Sequence, residues 1–314
     1  MDKFQDQSRR SQIITVAYLK YKKGLSQTKI ANKLGVSSMT ISRMIDQAIK
    51  DKVVTIQVHT PIHENVELSE ALAKKFSLSS AFVVRPSIYD ELDISVAKAA
   101  AFYLDMNIGK GDVVGISGGR TLKKVMGYMN LPASNLHQIE LVQLHGGLNI
   151  TTDRNPTTAL SNFSNKFGLK GYFIQHPMYA SSLQDAEFVH QRYYPGYEGI
   201  WRKCTMVISA IGILNDHCLQ WEEQLLDEEA KQELVEAGAI ADIYGRWFNK
   251  DGEFINCKAN KLAISITPEI LKTIPKRTLV TQGLEKVKAV SILMKMKLIT
   301  DFITDELTAI SLLE

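Results

Sequence analysis

Few stretches of this 314-residue chain combine the residue types and spacing that chemistry requires, and the best of them is Gly115-Ile116-Ser117-Gly118-Gly119-Arg120-Thr121. A β-branched run, Asp112–Ser117, leads into it, and a helical pattern, Leu122–Met129, leads out. Two adjacent glycines remove side chains, so backbone N–H groups can converge on an anion. The helix start adds partial positive charge, Arg120 adds a full one, and Ser117 and Thr121 add hydroxyls. The chemistry implied is phosphate binding. The spacing matches neither a dinucleotide-binding fingerprint nor a Walker loop, which needs Lys-Ser/Thr.

Further polar residues lie at other strand ends. His145 precedes the pair Gly146-Gly147 and is either a ligand contact or a structural strand-end histidine. Arg154 and Asn155 follow soon after. In Asp242-Ile243-Tyr244-Gly245-Arg246, Asp242 suits a sugar hydroxyl and Arg246 a phosphate; the following Asn249-Lys250-Asp251-Gly252 is a hairpin-turn sequence. Thr281-Gln282-Gly283-Leu284-Glu285-Lys286 follows the strand Thr278–Val280. A lysine in a first helical turn opposes the helix dipole, so a bound anion gives Lys286 a reason to be there. Asp305 suits a helix cap.

A second chemistry belongs to the first sixty residues. Residues 1–57 hold eleven Lys and Arg against four acids, a net of +7, while the remainder holds 26 against 30, a net of −4. A compact basic segment ahead of a mildly acidic body suggests a polyanion-binding head. Within it Ser38, Met39, Thr40, Ser42 and Arg43 lie near the start of a helical pattern. Arg43 suits a bidentate contact to guanine, Thr40 offers a hydroxyl and a methyl, and the serines suit base or phosphate. Lys29, Lys33 and Lys50 suit phosphate contacts that set register.

The elements that must position these residues follow from periodicity. Arg9–Lys23 fits a helix with Ile13, Ile14, Val16, Ala17 and Leu19 on a buried side, ended by Gly24. Ser26 caps Gln27–Leu34, Gly35 permits a sharp turn, and Ser37 or Ser38 caps a third helix to about Asp51. Its apolar positions are Ile41, Met44, Ile45, Ala48 and Ile49. Three short helices with a glycine turn make a helix-turn-helix. Val53–Val58 is expected to be a strand, and His59-Thr60-Pro61-Ile62-His63 marks a boundary, giving domains 1–58 and 59–314. Pro61 between His59 and His63 argues against a shared metal site there.

Beyond it, 64–76 is expected to be helical. Strand and helix patterns then alternate: strand Ala81–Arg85, helix Leu92–Asn107, strand Asp112–Ser117, helix Leu122–Met129, strand Ile139–His145 and helix Thr157–Phe167. Strands Gly171–Ile174, Met206–Ile211 and Leu298–Ile303 complete the pattern. That alternation predicts an α/β fold: a helix-turn-helix domain followed by a doubly wound, mostly parallel sheet. Ligands in such sheets bind at the carboxyl ends of strands. No apolar run approaches the roughly 20 residues of a membrane helix, and the polar start is no secretory signal, so the cytoplasm is expected. The three cysteines form no metal pattern, and no cofactor is called for.

Six segments, in this order, resemble the SorC family of sugar-responsive bacterial transcriptional regulators. They are SQTKIANKLGVSSMTISRMI at Ser26–Ile45, GDVVGISGGRTL at Gly111–Leu122, VQLHGG at Val142–Gly147, DIYGRWFNKDG at Asp242–Gly252, QGLEKVKAV at Gln282–Val290 and ITDELTA at Ile303–Ala309. The resemblance implies an effector domain similar to sugar-phosphate isomerases and deaminases, with a phosphorylated sugar or polyol as ligand. It implies a phosphate on Ser117–Thr121 and contacts from Asp242, Arg246, Glu285 and Lys286. It also implies a homodimer or homotetramer, for which two-fold symmetry demands operator DNA with inverted half-sites. The chain departs from the family pattern at Gly118, where a tryptophan is common, and at Thr281-Gln282-Gly283, often Ala-Gly-Gly. The rival reading is an isomerase- or deaminase-like enzyme with an added basic domain. Against it, these loops carry no closely spaced acid–base set of Asp, Glu and His.

Overall fold

The structure, a computed structural model, describes residues 8–54, 64–86, 90–131, 138–148 and 155–314. Packing divides the chain into two compact units, Met1–Pro61 and Ile62–Glu314.

The first unit is built from α1 (Arg9–Ala17), α2 (Gln27–Leu34) and α3 (Ser38–Lys50). A π-helical turn, Tyr18–Lys22, continues α1. The Ser26 hydroxyl accepts from Lys29 N–H at the head of α2, and the Ser37 hydroxyl accepts from Thr40 N–H at the head of α3. Each cap satisfies a donor that a helix start leaves without an intrahelical partner. Between them Gly35 sits in the left-handed region at φ +68°, where a Cβ would be strained. Ile13, Val16 and Ala17 of α1 pack with Ile30 and Ala31 of α2 and with Ile41, Met44, Ile45 and Ala48 of α3. Ile14 and Ile49, expected inside, are exposed. Their neighbours already fill the single inward stripe that a short helix offers. Val53 and Val54 form a bend rather than the start of a strand. Residues 55–58 of the expected strand, His59 and His63 lie outside the described residues.

The second unit opens with α4 (Val66–Phe76), β1 (Ser80–Val84) and α5 (Leu92–Asn107). β2 (Val113–Ile116), α6 (Arg120–Tyr128), β3 (Glu140–Gln143), α7 (Pro156–Phe167) and β4 (Lys170–Tyr172) follow. Two helices, α8 (Leu183–Arg192) and α9 (Tyr194–Trp201), lead to β5 (Met206–Ser209) and the short β6 (Gly212–Ile213). Then come α10 (Leu219–Glu222), α11 (Glu228–Glu236), β7 (Ala239–Ile243), β8 (Arg246–Asn249), α12 (Lys258–Leu262) and α13 (Pro268–Thr273). β9 (Lys276–Val280), α14 (Val287–Lys295), β10 (Asp301–Asp305) and α15 (Glu306–Leu313) close the chain.

Seven strands form one sheet in the order β1-β10-β9-β5-β2-β3-β4, and every pairing in it is parallel. Apolar side chains alternate between its faces. Met206 and Ile208 join Ile116 and Ile303 in one core, while Val207 joins Val142, Leu279 and Phe302 in another. Both faces are therefore covered, as a doubly wound sheet requires. β6, β7 and β8 form a separate three-stranded antiparallel sheet.

In the second unit the elements expected from the sequence are present with shifted ends, while β6 to β8 and α8 to α13 were not anticipated. β10 begins at Asp301 rather than Leu298, because Lys297 turns through the left-handed region and Arg277 binds the carbonyls of Lys297 and Leu298. A two-residue hairpin at Tyr244-Gly245, both at positive φ, precedes the turn expected at Asn249–Gly252. Among the described residues no helix is long and apolar enough to cross a membrane.

Candidate functional site

The order of the strands fixes where a ligand site can form. From β2 the chain winds outward through β3 to β4, then returns to the other side of β2 at β5 and winds through β9 to β10. The connections leaving β2 and β5 therefore part to opposite sides and open a crevice above the carboxyl ends of those strands. A cavity of about 260 Å³ lies there. Ser117, Gly118, Gly119, Arg120 and Thr121 line it from the exit of β2, His145 from the exit of β3, and Glu285 and Lys286 from the exit of β9. Asp242, Tyr244 and Gly245 line it from the β7–β8 hairpin.

The Ser117–Thr121 loop is held from beneath. Gly118 N–H donates to His145 Nε2 at 2.7 Å, so Nε2 is the acceptor nitrogen and the proton is on Nδ1, which donates to Gly146 O at 2.8 Å. Burial pushes the imidazole down to about 4, so His145 is neutral at physiological pH. Both ring nitrogens are engaged: although His145 faces the cavity, its hydrogen bonds position the loop. Gly119 has φ +109°, and no side chain caps the start of α6, which lines the cavity.

Two cations flank that end. Burial holds the Lys286 ammonium below the usual lysine range, and the Arg120 charge lowers it further against the opposing pull of Glu285. Two like charges kept together in a partly buried place are relieved by an anion between them. Asp242 forms a different corner. Its carboxylate is buried and accepts from Gly245 N–H at 2.9 Å. Burial raises it to about 6, offset in part by that bond and by Gln220. Gly212 is paired with Asp242 across the sheet, and a Cβ there would lie 2.2 Å from Asp242 Oδ1, so a larger residue would displace that carboxylate.

Not every expected residue comes to this place. Arg246 is not among the residues lining the cavity. Its guanidinium donates to Ile266 O and Ser265 O at 3.1 and 3.0 Å and to the Tyr194 hydroxyl at 3.2 Å. Arg154 lies outside the described residues. Asn155 caps α7, accepting from Thr157 N–H at 3.0 Å. Asp305 caps α15, accepting from Thr308 N–H at 3.0 Å, and its other oxygen accepts from Gly283 N–H. The segment after β5 was missed: Ala210, Gly212, Asn215, His217, Cys218 and Gln220 all line the cavity. The signal was present, since a strand leads into a glycine and then a polar run.

In the first unit Lys29, Lys33, Ser38, Met39 and Arg43 are exposed, and Thr40 and Ser42 are partly so. The side chains available for groove reading thus share the outer side of α3 and its first turns. The Thr40 hydroxyl also meets the Ser37 hydroxyl at 2.8 Å, which ties it to the cap.

Comparison with known proteins decides the family. The model of the family described as "Putative sugar-binding domain" matches residues 60–314. The chain belongs to that family. It is 26% identical over 305 residues to the erythritol catabolism regulatory protein EryD of Brucella abortus, covering 96% of this chain and 95% of that one. It is 25% identical over 310 residues to the deoxyribonucleoside regulator of Bacillus subtilis, covering 97% of each. The full-length sorbitol operon regulator SorC of Klebsiella pneumoniae superposes with a TM-score of 0.71 over the whole of both chains, at 21% identity. This sugar-binding-domain protein is a SorC-like transcriptional regulator and not an enzyme. The doubly wound fold of the second unit is the fold of that SorC structure.

Proposed function

We propose that this regulator controls a carbohydrate-metabolism operon in the cytoplasm by sensing a phosphorylated sugar or polyol. The effector phosphate sits on Ser117–Thr121, between Arg120 and Lys286, and residues 59–314 form the sensing domain. Residues 1–58 form the DNA-binding domain, with Ser38, Met39, Thr40, Ser42 and Arg43 facing bases and Lys29 and Lys33 facing phosphates. A homodimer or homotetramer presents two such heads to an operator with inverted half-sites. The observation that carries the reading is the uncapped, glycine-led start of α6, which lines one cavity together with Arg120 and the largely buried Lys286. A dianionic phosphate there gains several charge-assisted hydrogen bonds that the free sugar cannot make.

Linkage then demands that an effector favouring one arrangement of the oligomer shift DNA affinity by the same coupling free energy, typically about 1–3 kcal/mol. Calorimetry with paired free and phosphorylated sugars, on wild type and Arg120→Ala, repeated with operator present, tests this. Phosphorylated forms are expected to bind far more tightly, and Arg120→Ala to remove most of that advantage. A free sugar binding as tightly as its phosphate, or a tight ligand that leaves DNA affinity unchanged, refutes the mechanism.

A further inference from the structure

The outer face of α15 carries apolar side chains that the described residues leave uncovered. Thr308, Ala309 and Leu312 are buried, while Leu307 and Ile310, three residues apart and so neighbours on one side of the helix, are exposed. Two hydrogen-bonded joints extend that side. At the first, Asn65 Nδ2 donates to Glu306 Oε1 at 2.6 Å, which sets the head of α4 beside the head of α15 and Val66 beside Leu307. At the second, Gly283 N–H donates to Thr308 Oγ1 at 2.9 Å, which brings Leu284 to the same helix. Val66, Leu284, Leu307 and Ile310 are each 44–61% exposed. Single exposed apolar residues are ordinary, but a contiguous set of large ones marks a place where something docks.

Three features fit a second copy of this chain. The rim carries both signs: Arg85, whose Nε lies 2.8 Å from Glu306 and which also feels Glu67, and exposed Lys288 stand with Glu67 and Glu285. A face of one sign repels its own copy, whereas a mixed face can meet itself about a two-fold axis. A nucleic acid calls for a cationic stripe, which this rim does not form. Next, α4 is the first helix after the division at Pro61 and Ile62, so the chain enters the second unit beside this face. A two-fold axis here sets two such points of entry close together, as a reader of inverted half-sites requires. Last, the turn Leu284–Lys286 belongs to both places: Leu284 stands on the face, and Glu285 and Lys286 line the cavity.

We propose that a second copy of this chain seats on Val66, Leu284, Leu307 and Ile310 about a two-fold axis, and that the contact braces the turn carrying Glu285 and Lys286. This rests on the reading above that the regulator is a homo-oligomer, and it adds the surface and its link to the cavity. Because the axis presents each residue twice, one substitution perturbs the interface at two points.

The test is sedimentation velocity on the full-length protein over a range of concentrations. Leu307→Glu and Ile310→Glu are each expected to weaken self-association by about a hundredfold or more, and Leu284→Ser by about tenfold. Val235→Glu, at a residue of α11 as exposed as Leu307, is expected to change nothing. Oxidation of dilute Ile310→Cys is expected to give a disulfide-linked dimer, and Val235→Cys none, since all three native cysteines are buried. Amide exchange at Leu284–Lys286 is expected to be about tenfold or more slower in assembled wild type than in Ile310→Glu. Wild type that assembles while Leu307→Glu and Ile310→Glu assemble equally well overturns the inference and leaves the oligomer reading standing. If the glutamate variants fail to fold, Ile310→Cys decides, and the lack of a linked dimer overturns the inference in the same way. Equal exchange in wild type and Ile310→Glu refutes the bracing of the turn. A wild type that stays monomeric at every concentration sinks the oligomer reading and the inference with it.

Discussion

Acid should unfasten the Ser117–Thr121 loop through one side chain. His145 accepts the Gly118 N–H only while Nε2 is unprotonated, and the fold resists its protonation, holding it at about 4 against an ordinary 6.5. That difference corresponds to roughly 3 kcal/mol. The sign follows from proton binding. Between pH 6.5 and 4 the unfolded chain takes up a proton that the folded chain refuses, so stability is lost as pH falls through that window and is fully present above it. His145→Phe keeps a ring of similar size and removes both nitrogens. At pH 7.5 it leaves the Gly118 N–H without its acceptor, at an expected cost of about 1–3 kcal/mol. At pH 4.5 the wild type has lost most of what His145 contributed, so the gap between the two proteins should close by about 2 kcal/mol or more. Urea unfolding followed by tryptophan fluorescence reads this out of the right unit, because Trp201, Trp221 and Trp247 all lie within Ile62–Glu314. If His145→Phe loses as much stability between the two pH values as wild type does, the neutral-acceptor role is wrong.

Two pairs of substitutions probe the remaining supports. Arg43→Ala should lose about 1–3 kcal/mol of preference for the cognate base, while Lys33→Ala should weaken binding to cognate and scrambled duplexes alike. Equal losses on both duplexes for Arg43→Ala in a gel-shift series would reassign Arg43 to the phosphate backbone. Gly146→Ala places a Cβ 2.1 Å from Pro177 O and 2.5 Å from His176 O, main-chain atoms that cannot swing aside, so a loss of about 2 kcal/mol or more is expected. Gly127→Ala, in α6 with nothing within 4 Å, should by contrast be neutral or stabilising by up to about 1 kcal/mol. A urea midpoint for Gly146→Ala equal to that of Gly127→Ala would contradict the close-approach explanation.

What the sequence makes legible is what its neighbours along the chain determine. Ser26, Gly35 and Ser37 mark the turns of the first unit because a cap acts on a donor three residues away and a left-handed turn acts on one residue. The Ser117–Thr121 loop is legible for the same reason: strand, glycine pair and helix start are contiguous. Glycine 212 is not, because its requirement comes from Asp242, thirty positions on, across the small sheet. Nor is Arg246, which in sequence resembles a free cation and in the fold is taken by the carbonyls of Ser265 and Ile266. Between β4 and β7 the helices α8 to α11 were not anticipated. α9 starts Tyr-Pro-Gly, where the proline sits at the head of the helix and satisfies its lack of an N–H, rather than breaking it.

The division between legible and hidden residues coincides with two parts of the cavity lining. The Ser117–Thr121 part is a local motif, so any chain that keeps strand, glycine pair and helix start can keep it. The Asp242 part exists only where β6 lies beside β7 and where α10 supplies Gln220, both set by the path the chain takes after β5. On the proposed reading, phosphate recognition and choice of sugar depend on different parts of the sequence, and substitutions at 212, 215, 217 and 220 are expected to change which effector is read without disturbing how its phosphate is held.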